Sequence, residues 1–209
     1  DKGVTKAMFQ MRGVSTPGGK AMKKKDRQDS LAALGMEFPV VVKTCCGGSS
    51  IGVYIVDNQE DYVKALDEAF EYENEVVIEE FIKGVEYTVA VVDGTAYPVV
   101  QIVPKEGFYD YENKYKPGAV QETCPAPISE ELTRRLQEAA VDGYHALEME
   151  SYARLDFIVT EDEKIYCLEA NTLPGMTPTS LIPQEAAVLG MDYPTLCEEL
   201  IRVSQKKYD

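Results

Sequence analysis

Residues 164–182 read KIYCLEANTLPGMTPTSLI, an apolar run that ends in the carboxylate Glu169 and, two residues later, the amide Asn171. Pro174-Gly175 then turns the chain, and hydroxyls follow at Thr177, Thr179 and Ser180. Upstream, residues 152–159 (YARLDFIV) form a second apolar strand pattern that carries Arg154 and Asp156. Strand side chains alternate faces, so Arg154 and Asp156 point the same way. If the two strands pair, Asp156, Glu169 and Asn171 make one cluster of hard oxygens beside a guanidinium. Such a cluster suits a Mg²⁺ ion carrying phosphates, which keeps several waters and takes only one or two carboxylates from the protein. The same spacing also fits an ordinary hairpin with acidic ends, so the rest of the chain has to decide.

A chain of 209 residues can bury a core of its own, as one large domain or two small ones. The net charge of −15 argues against a nucleic-acid partner, because phosphate contacts need clustered Lys and Arg. The one basic run, KAMKKKDR at 20–27, reads as a solvated loop. No apolar stretch approaches the roughly 20 residues of a membrane span, and no signal peptide is visible. The five cysteines are odd in number and lack CxxC spacing, which fits reduced thiols in a cytoplasmic protein. With a single histidine, His145, in a helical pattern, a histidine-dependent triad is excluded.

Along the chain, residues 4–13 read as a helix ended by Gly13, and a short helix is expected at 26–35. Strands are expected at 38–43, 51–56, 75–82, 85–92 and 95–103. Asn58 caps a helix through QEDYVKALDEAFEY, and Ser129 caps another to about 147. The stretch 104–119, PKEGFYDYENKYKPGA, is long, irregular and aromatic, as functional lids often are. Helices at about 183–189 and 193–207 close the chain. The fold class is α+β, with antiparallel strands in at least two sheets and helices outside. Neither GxGxxG after a strand nor GxxxxGK[ST] occurs, so the Rossmann and Walker phosphate sites are absent.

Lys43 stands at a strand end just before Gly47-Gly48-Ser49-Ser50, where glycines would let backbone N–H groups approach a phosphate. A glycine-rich hairpin turn fits that stretch equally well. VVIEEFIKGVE at 76–86 can present backbone groups to an adenine edge and a carboxylate to a ribose, or be an edge strand with exposed acids.

In this order, DKGVTK (1–6), VKTCCGGSSIGV (42–53), IEEFIKGVEYTVAV (78–91), GFYDYENKY (107–115), YARLDF (152–157) and LEANTLPGMTPTSLIP (168–183) resemble the ATP-grasp enzymes, and closely the D-alanine–D-alanine ligases. The resemblance runs from residue 1 to about 207. It implies two α+β subdomains with antiparallel sheets that grip ATP, residues 1–92 forming the smaller and 93–209 the larger. The 104–119 stretch would be a mobile loop of the larger one. The chain opens inside a helical pattern, so an N-terminal substrate domain is expected to be missing.

The resemblance also implies roles. Lys2 and Lys43 would bind the ATP phosphates; Glu79, Glu80, Phe81 and Ile82 would form the adenine hinge, with Glu86 on the ribose. Asp156, Glu169 and Asn171 would hold two Mg²⁺ ions, with Mn²⁺ also acceptable to this oxygen set. Arg154 and the Gly175 backbone N–H would stabilise the negative oxygens of the tetrahedral species. Ser180 and Leu181 would receive the carboxylate of the second amino acid. Lys114 and Tyr115 would close the lid over ATP, with Ser49 bonded to Tyr115. The implied reaction joins two D-alanines through a D-alanyl phosphate, for a peptidoglycan precursor, in a homodimeric parent protein. Lys114-Tyr115 favours D-alanine over D-lactate or D-serine as second substrate. Cys45-Cys46 and Met149-Glu150-Ser151 depart from the family pattern. Two other readings stay open: another carboxylate–amine ligase of the same fold, and a nucleotide-binding fragment inactive on its own.

Overall fold

Valine-rich runs at 40–42 and 85–92 become inner strands of two separate antiparallel sheets. The computed structural model describes residues 1–48, 51–104 and 120–208. Its chain divides into two compact units, one holding Asp1–Ala7 and Pro17–Ile82, the other Met8–Thr16, Lys83–Pro104 and Val120 onward. Helix α1 (Lys2–Arg12) gives its first turns to one unit and its last to the other, and ends at Gly13 with φ of 78°.

The first unit has a four-stranded sheet in the order β1 (Gly19–Lys23), β4 (Glu75–Glu80), β2 (Val40–Thr44), β3 (Val53–Val56). Val40, Val42, Val76 and Ile78 face α2 (Gln59–Tyr72) and pack with Tyr62, Leu66, Ala69 and Phe70. Asn58 caps α2, its side chain accepting from Asp61 N–H at 3.0 Å. The alternate residues Lys43 and Glu79 take the sheet's other face, where Gly3 of α1 comes close to Ala21.

The second unit has a six-stranded sheet in the order β10 (Ile165–Asn171), β9 (Tyr152–Val159), β5 (Val85–Val92), β7 (Val100–Pro104), β8 (Val120–Thr123), with β6 (Thr95–Ala96) also on β5. One face carries Tyr87, Val89, Val91, Leu155 and Phe157 against α3 (Glu130–Ala146) and Phe9. Gly143 lets α3 approach β9, since a Cβ there would lie 2.5 Å from Leu155. The other face is split. At one end Ala90 and Val92 are covered by α4 (Leu181–Val188) and α5 (Tyr193–Gln205) through Ile182, Ala186, Leu196 and Leu200. At the other end, polar residues of β5, β9 and β10 gather.

The predicted strands at 85–92 and 152–159 form as expected, as do the Asn58 and Ser129 caps. Three expectations need correction, and one strand is additional to them. The helix expected at 26–35 is two 3-10 turns, Lys24–Asp26 and Ala32–Leu34. Between them Arg27 binds Asp29 and Asp67, and Gln59 binds the Asp29 carbonyl, so side chains hold the backbone that a helix would need. The strand expected at 95–103 breaks into β6 and β7 at Pro98, which has no N–H to give a ladder. Strand β8, with little apolar alternation, was not anticipated. Lastly, the units divide at Ile82/Lys83 rather than 92/93. Strand β5 pairs with β9 along its whole length and therefore belongs to the second sheet. The loop expected at 104–119 lies, beyond Pro104, outside the described residues.

Leu136 is fully buried where α3 meets the second sheet. Leu136→Ala should cost about 2–5 kcal/mol in a urea melt of the chain; a loss below about 1 kcal/mol would refute this placement of the core.

Candidate active site

An irregularity in β10 builds the site in the second unit. Cys167 pairs with Phe157, yet Glu169 pairs with Asp156, so Leu168 is an extra residue in the ladder. Directly opposed residues share a face. In unbroken register Glu169 would oppose the buried Leu155 and point into the core. The bulge puts Glu169 beside Asp156 and Asn171 beside Arg154, on the polar face, and keeps Ala170 opposite Leu155 on the core side. Thr88 of β5 pairs with Asp156 on the same face, and Glu86, two residues before it, joins them.

Asp156 is the hub. Its Oδ1 accepts from Thr88 Oγ1 at 2.6 Å and Arg154 Nε at 2.9 Å; its Oδ2 accepts from Arg154 Nη2 at 2.8 Å and Asn171 Nδ2 at 2.9 Å. Those four donors fill the lone-pair directions of a carboxylate. Asn171 Nδ2 also lies 3.5 Å from Glu169 Oε1. Among the described residues no three His, Cys, Asp or Glu side chains are grouped to hold a metal. A cation here would therefore rest on two carboxylates and an amide, the donor set Mg²⁺ takes when phosphates supply the remainder. The residues fit such an ion, provided the Asn171 amide turns over to offer its oxygen.

After β10, Pro174 is buried and Gly175 exposed. Ser180 N-caps α4 and its Oγ accepts from Thr177 N–H at 3.0 Å. Leu181, the first helical residue, is buried.

The first unit holds a separate charged cluster. Glu79 is buried, and its carboxylate is gripped by Lys6 at 2.9 Å and by Lys43. Burial pushes the Glu79 pKa up, but the charges and hydrogen bonds of Lys43 and Lys6 outweigh it and hold the carboxyl below its ordinary value. Lys6 also donates to the Pro17 carbonyl at 2.6 Å, and Lys2 Nζ donates to the Gly47 carbonyl at 2.5 Å. Two cations thus share one buried carboxylate close to the glycine loop.

Of the expected hinge, Glu79 is thus committed by its side chain to two lysines. Glu80 N–H donates to the Gly18 carbonyl and Phe81 N–H to the Pro39 carbonyl. Ile82 closes the unit. Ser49, Lys114 and Tyr115 lie outside the described residues. Lys6 and Thr88 escaped the sequence reading, although each had a signal. Lys6 follows Lys2 by one helical turn, and Thr88 follows Glu86 by two strand positions.

A family model described as D-ala D-ala ligase C-terminus matches residues 7–202. The chain belongs to this family. A D-alanine–D-alanine ligase of Syntrophotalea carbinolica is 43% identical over 96% of the chain, which spans 65% of that relative. The crystal structure of a D-alanine–D-alanine ligase from Bacillus anthracis complexed with ATP superposes with a TM-score of 0.84 at 34% identity, covering 99% of this chain and 66% of that one. The VanG D-Ala:D-Ser ligase from Enterococcus faecalis gives 0.87 at 30% identity, covering 97% and 61%. The mixed α+β fold with antiparallel sheets is that of the ATP-grasp ligases, as expected. No described helix is long and apolar enough to cross a membrane.

Two predictions follow from these clusters. Thr88→Val removes a buried donor to a charged carboxylate and should lower stability by about 1.5–3 kcal/mol in chemical denaturation; a neutral effect would show that Asp156 does not depend on it. The second concerns acid. Because the Glu79 pKa is lower folded than unfolded, its stabilisation is present above the ordinary value of 4.5 and is lost as pH falls through the folded value. Glu79→Gln should therefore be less stable near neutrality, and its stability should fall less steeply than the parent's below pH 4.5. Parallel curves would refute the assignment.

Proposed function

We propose that this chain is the ATP-binding and catalytic portion of a ligase that joins two D-alanines at the expense of ATP, making a peptidoglycan precursor in the cytoplasm. The observation that carries the reading is the register that sets Glu169 opposite Asp156 and Asn171 opposite Arg154. Membership of the D-ala D-ala ligase C-terminus family supports it.

Joining a carboxylate to an amine is uphill in water, so the carboxylate must first be activated. Attack of the first D-alanine's carboxylate on the γ-phosphorus of ATP gives D-alanyl phosphate and ADP. The second D-alanine's amine then attacks the acyl carbon, and phosphate leaves. Charge sits on phosphoryl oxygens throughout, so the protein's work is positioning and electrostatic stabilisation. Mg²⁺ held by Asp156, Glu169 and Asn171 would neutralise charge on the phosphates.

The chain's own groups divide the labour. In the first unit, Lys43 and Lys2 would meet phosphate oxygens, with Glu79, itself held by Lys6, fixing the Lys43 ammonium. Its segment 79–82 would serve the adenine through backbone atoms, since the Glu79 side chain is taken. In the second unit, Glu86 would take the ribose hydroxyls. Arg154, held in plane by its two bonds to Asp156, would face the developing oxyanion together with the Gly175 N–H. Ser180 and Leu181, at the start of α4, would receive the second substrate's carboxylate, favoured there by the helix N-terminus. Ser49, Lys114 and Tyr115 would close the site against water, which would otherwise hydrolyse the acyl phosphate.

The similarity to a D-Ala:D-Ser ligase makes the second substrate the point to test. Calorimetry of the chain with Mg-ADP and Mg-ATP should show binding that requires metal and is lost in Asp156→Ala/Glu169→Ala. Equal binding with or without metal, or an unaffected double variant, would overturn the site. In a protein carrying this chain at its relatives' full length, ATP turnover should rise with D-alanine and yield D-alanyl-D-alanine. A rise with D-serine or D-lactate alone would reassign the second substrate.

A further inference from the structure

One buried acid in the second unit has no part in the reading above. Glu185 lies in the middle of α4, is fully buried, and is the one charged-type residue on that helix. Its Oε2 accepts from Ala90 N–H of β5 at 2.8 Å, while its Oε1 has no hydrogen-bond partner. The bond fills a gap in the sheet. On the edge away from β9, β5 pairs with β7 at Glu86–Thr88 and with β6 at Val91–Val92. Between those points the chain passes Pro98, and Ala90 N–H finds a side-chain acceptor instead of a strand. The Ala90 carbonyl is met by Tyr97 N–H at 2.8 Å.

An apolar side chain would pack this position without stranding an oxygen. A buried carboxyl is costly there unless its bond to the strand is what the position requires. Desolvation pushes the Glu185 pKa well above the usual carboxylate range, against the opposing pull of the Ala90 N–H and the Arg154 charge. Burial thus disfavours the charged form of a group whose one hydrogen bond is the acceptor contact of Oε2 with the strand. Helical spacing sets Glu185 one turn after Leu181, on the same side of α4. Ala90 itself pairs with Arg154 of β9.

We propose that Glu185 is a positioning residue, whose bond to Ala90 N–H replaces the missing strand and fixes the first turn of α4, with Ser180 and Leu181, relative to the face that carries Arg154 and Asp156. The proposal rests on the reading of Ser180 and Leu181 as the carboxylate site for its consequence in catalysis, but not for its geometry. Loss of the bond loosens the start of α4 while β9 and β10 keep the metal-binding residues in register.

The test compares Glu185→Gln, which keeps an acceptor of the same shape, with Glu185→Met, which keeps volume and loses it. Ile182→Val, a small cut in the apolar packing of α4, serves as control. Amide exchange in the chain should be unchanged in Glu185→Gln. In Glu185→Met it should be roughly tenfold faster or more at Ala90, Ser180 and Leu181. In a protein carrying this chain at its relatives' full length, D-alanine affinity in the presence of Mg-ATP should fall with it by about tenfold, with Mg-ATP affinity retained. The Ile182→Val control should leave Ala90 protected. Protection of Ala90 in Glu185→Met would overturn the proposal. So would a Glu185→Gln as damaged as Glu185→Met, or a control that reproduces the Met pattern. If Glu185→Met does not fold, the Gln variant decides, because the proposal requires it to keep both protection and D-alanine affinity. A full-length parent that binds Mg-ATP but no D-alanine would remove the carboxylate role of Ser180 and Leu181. The exchange measurement would still decide the brace.

Discussion

The bulge at Leu168 is the constraint on which the second unit's chemistry depends. A strand has only two faces, and one extra residue exchanges them for everything that follows. Up to Cys167, β10 keeps its apolar side chains against Phe157 and Val159; beyond it, Glu169 and Asn171 turn to the face of Asp156. Without that step a carboxylate would be driven against Leu155, in a core with no partner for it. The bulge thus satisfies packing and chemistry together, since Ala170 returns to the core side as Glu169 leaves it.

Once there, the polar residues are held by one another rather than by solvent. Asp156 receives two strand neighbours, Thr88 and Asn171, and both arms of Arg154. Each donor fixes the carboxylate in a different direction, and the carboxylate in turn fixes the guanidinium. Preorganisation of this kind is what an electrostatic site needs, because groups already in place do not have to reorganise as charge develops. Turning one amide, that of Asn171, is enough to exchange a donor for an oxygen ligand and to release a lone pair on Asp156.

The first unit uses the same physics with the signs reversed. There a single buried anion, Glu79, organises two lysines, and neither the anion nor the cations would be tolerated alone in that setting. Lys43 alone would be a flexible ammonium; paired through Glu79 to Lys6, it is held at a strand end next to the glycine loop. Glu185 is the exception to both patterns. It is buried with one backbone partner, and desolvation raises its pKa instead of a cationic partner lowering it.

How much of this was legible in the sequence depends on the range of the interaction involved. The strands at 85–92 and 152–159, the caps at Asn58 and Ser129, and the residue types of the Asp156 cluster are all written in short-range patterns: alternation, helical period, capping side chains. Ordered motifs over most of the chain also identify the family. What the sequence could not specify is long-range. Membership of β5 in the second sheet is decided by its pairing with β9, more than sixty residues away in the chain. The partners of Glu79 come from α1 and β2, and nothing near residue 79 names them. The bulge at Leu168 is visible only against the register of β9. Composition and local periodicity determined which elements form and which chemical groups they carry. Tertiary pairing alone decided which face each group takes and which buried charge it meets, because face and partner are properties of two segments at once.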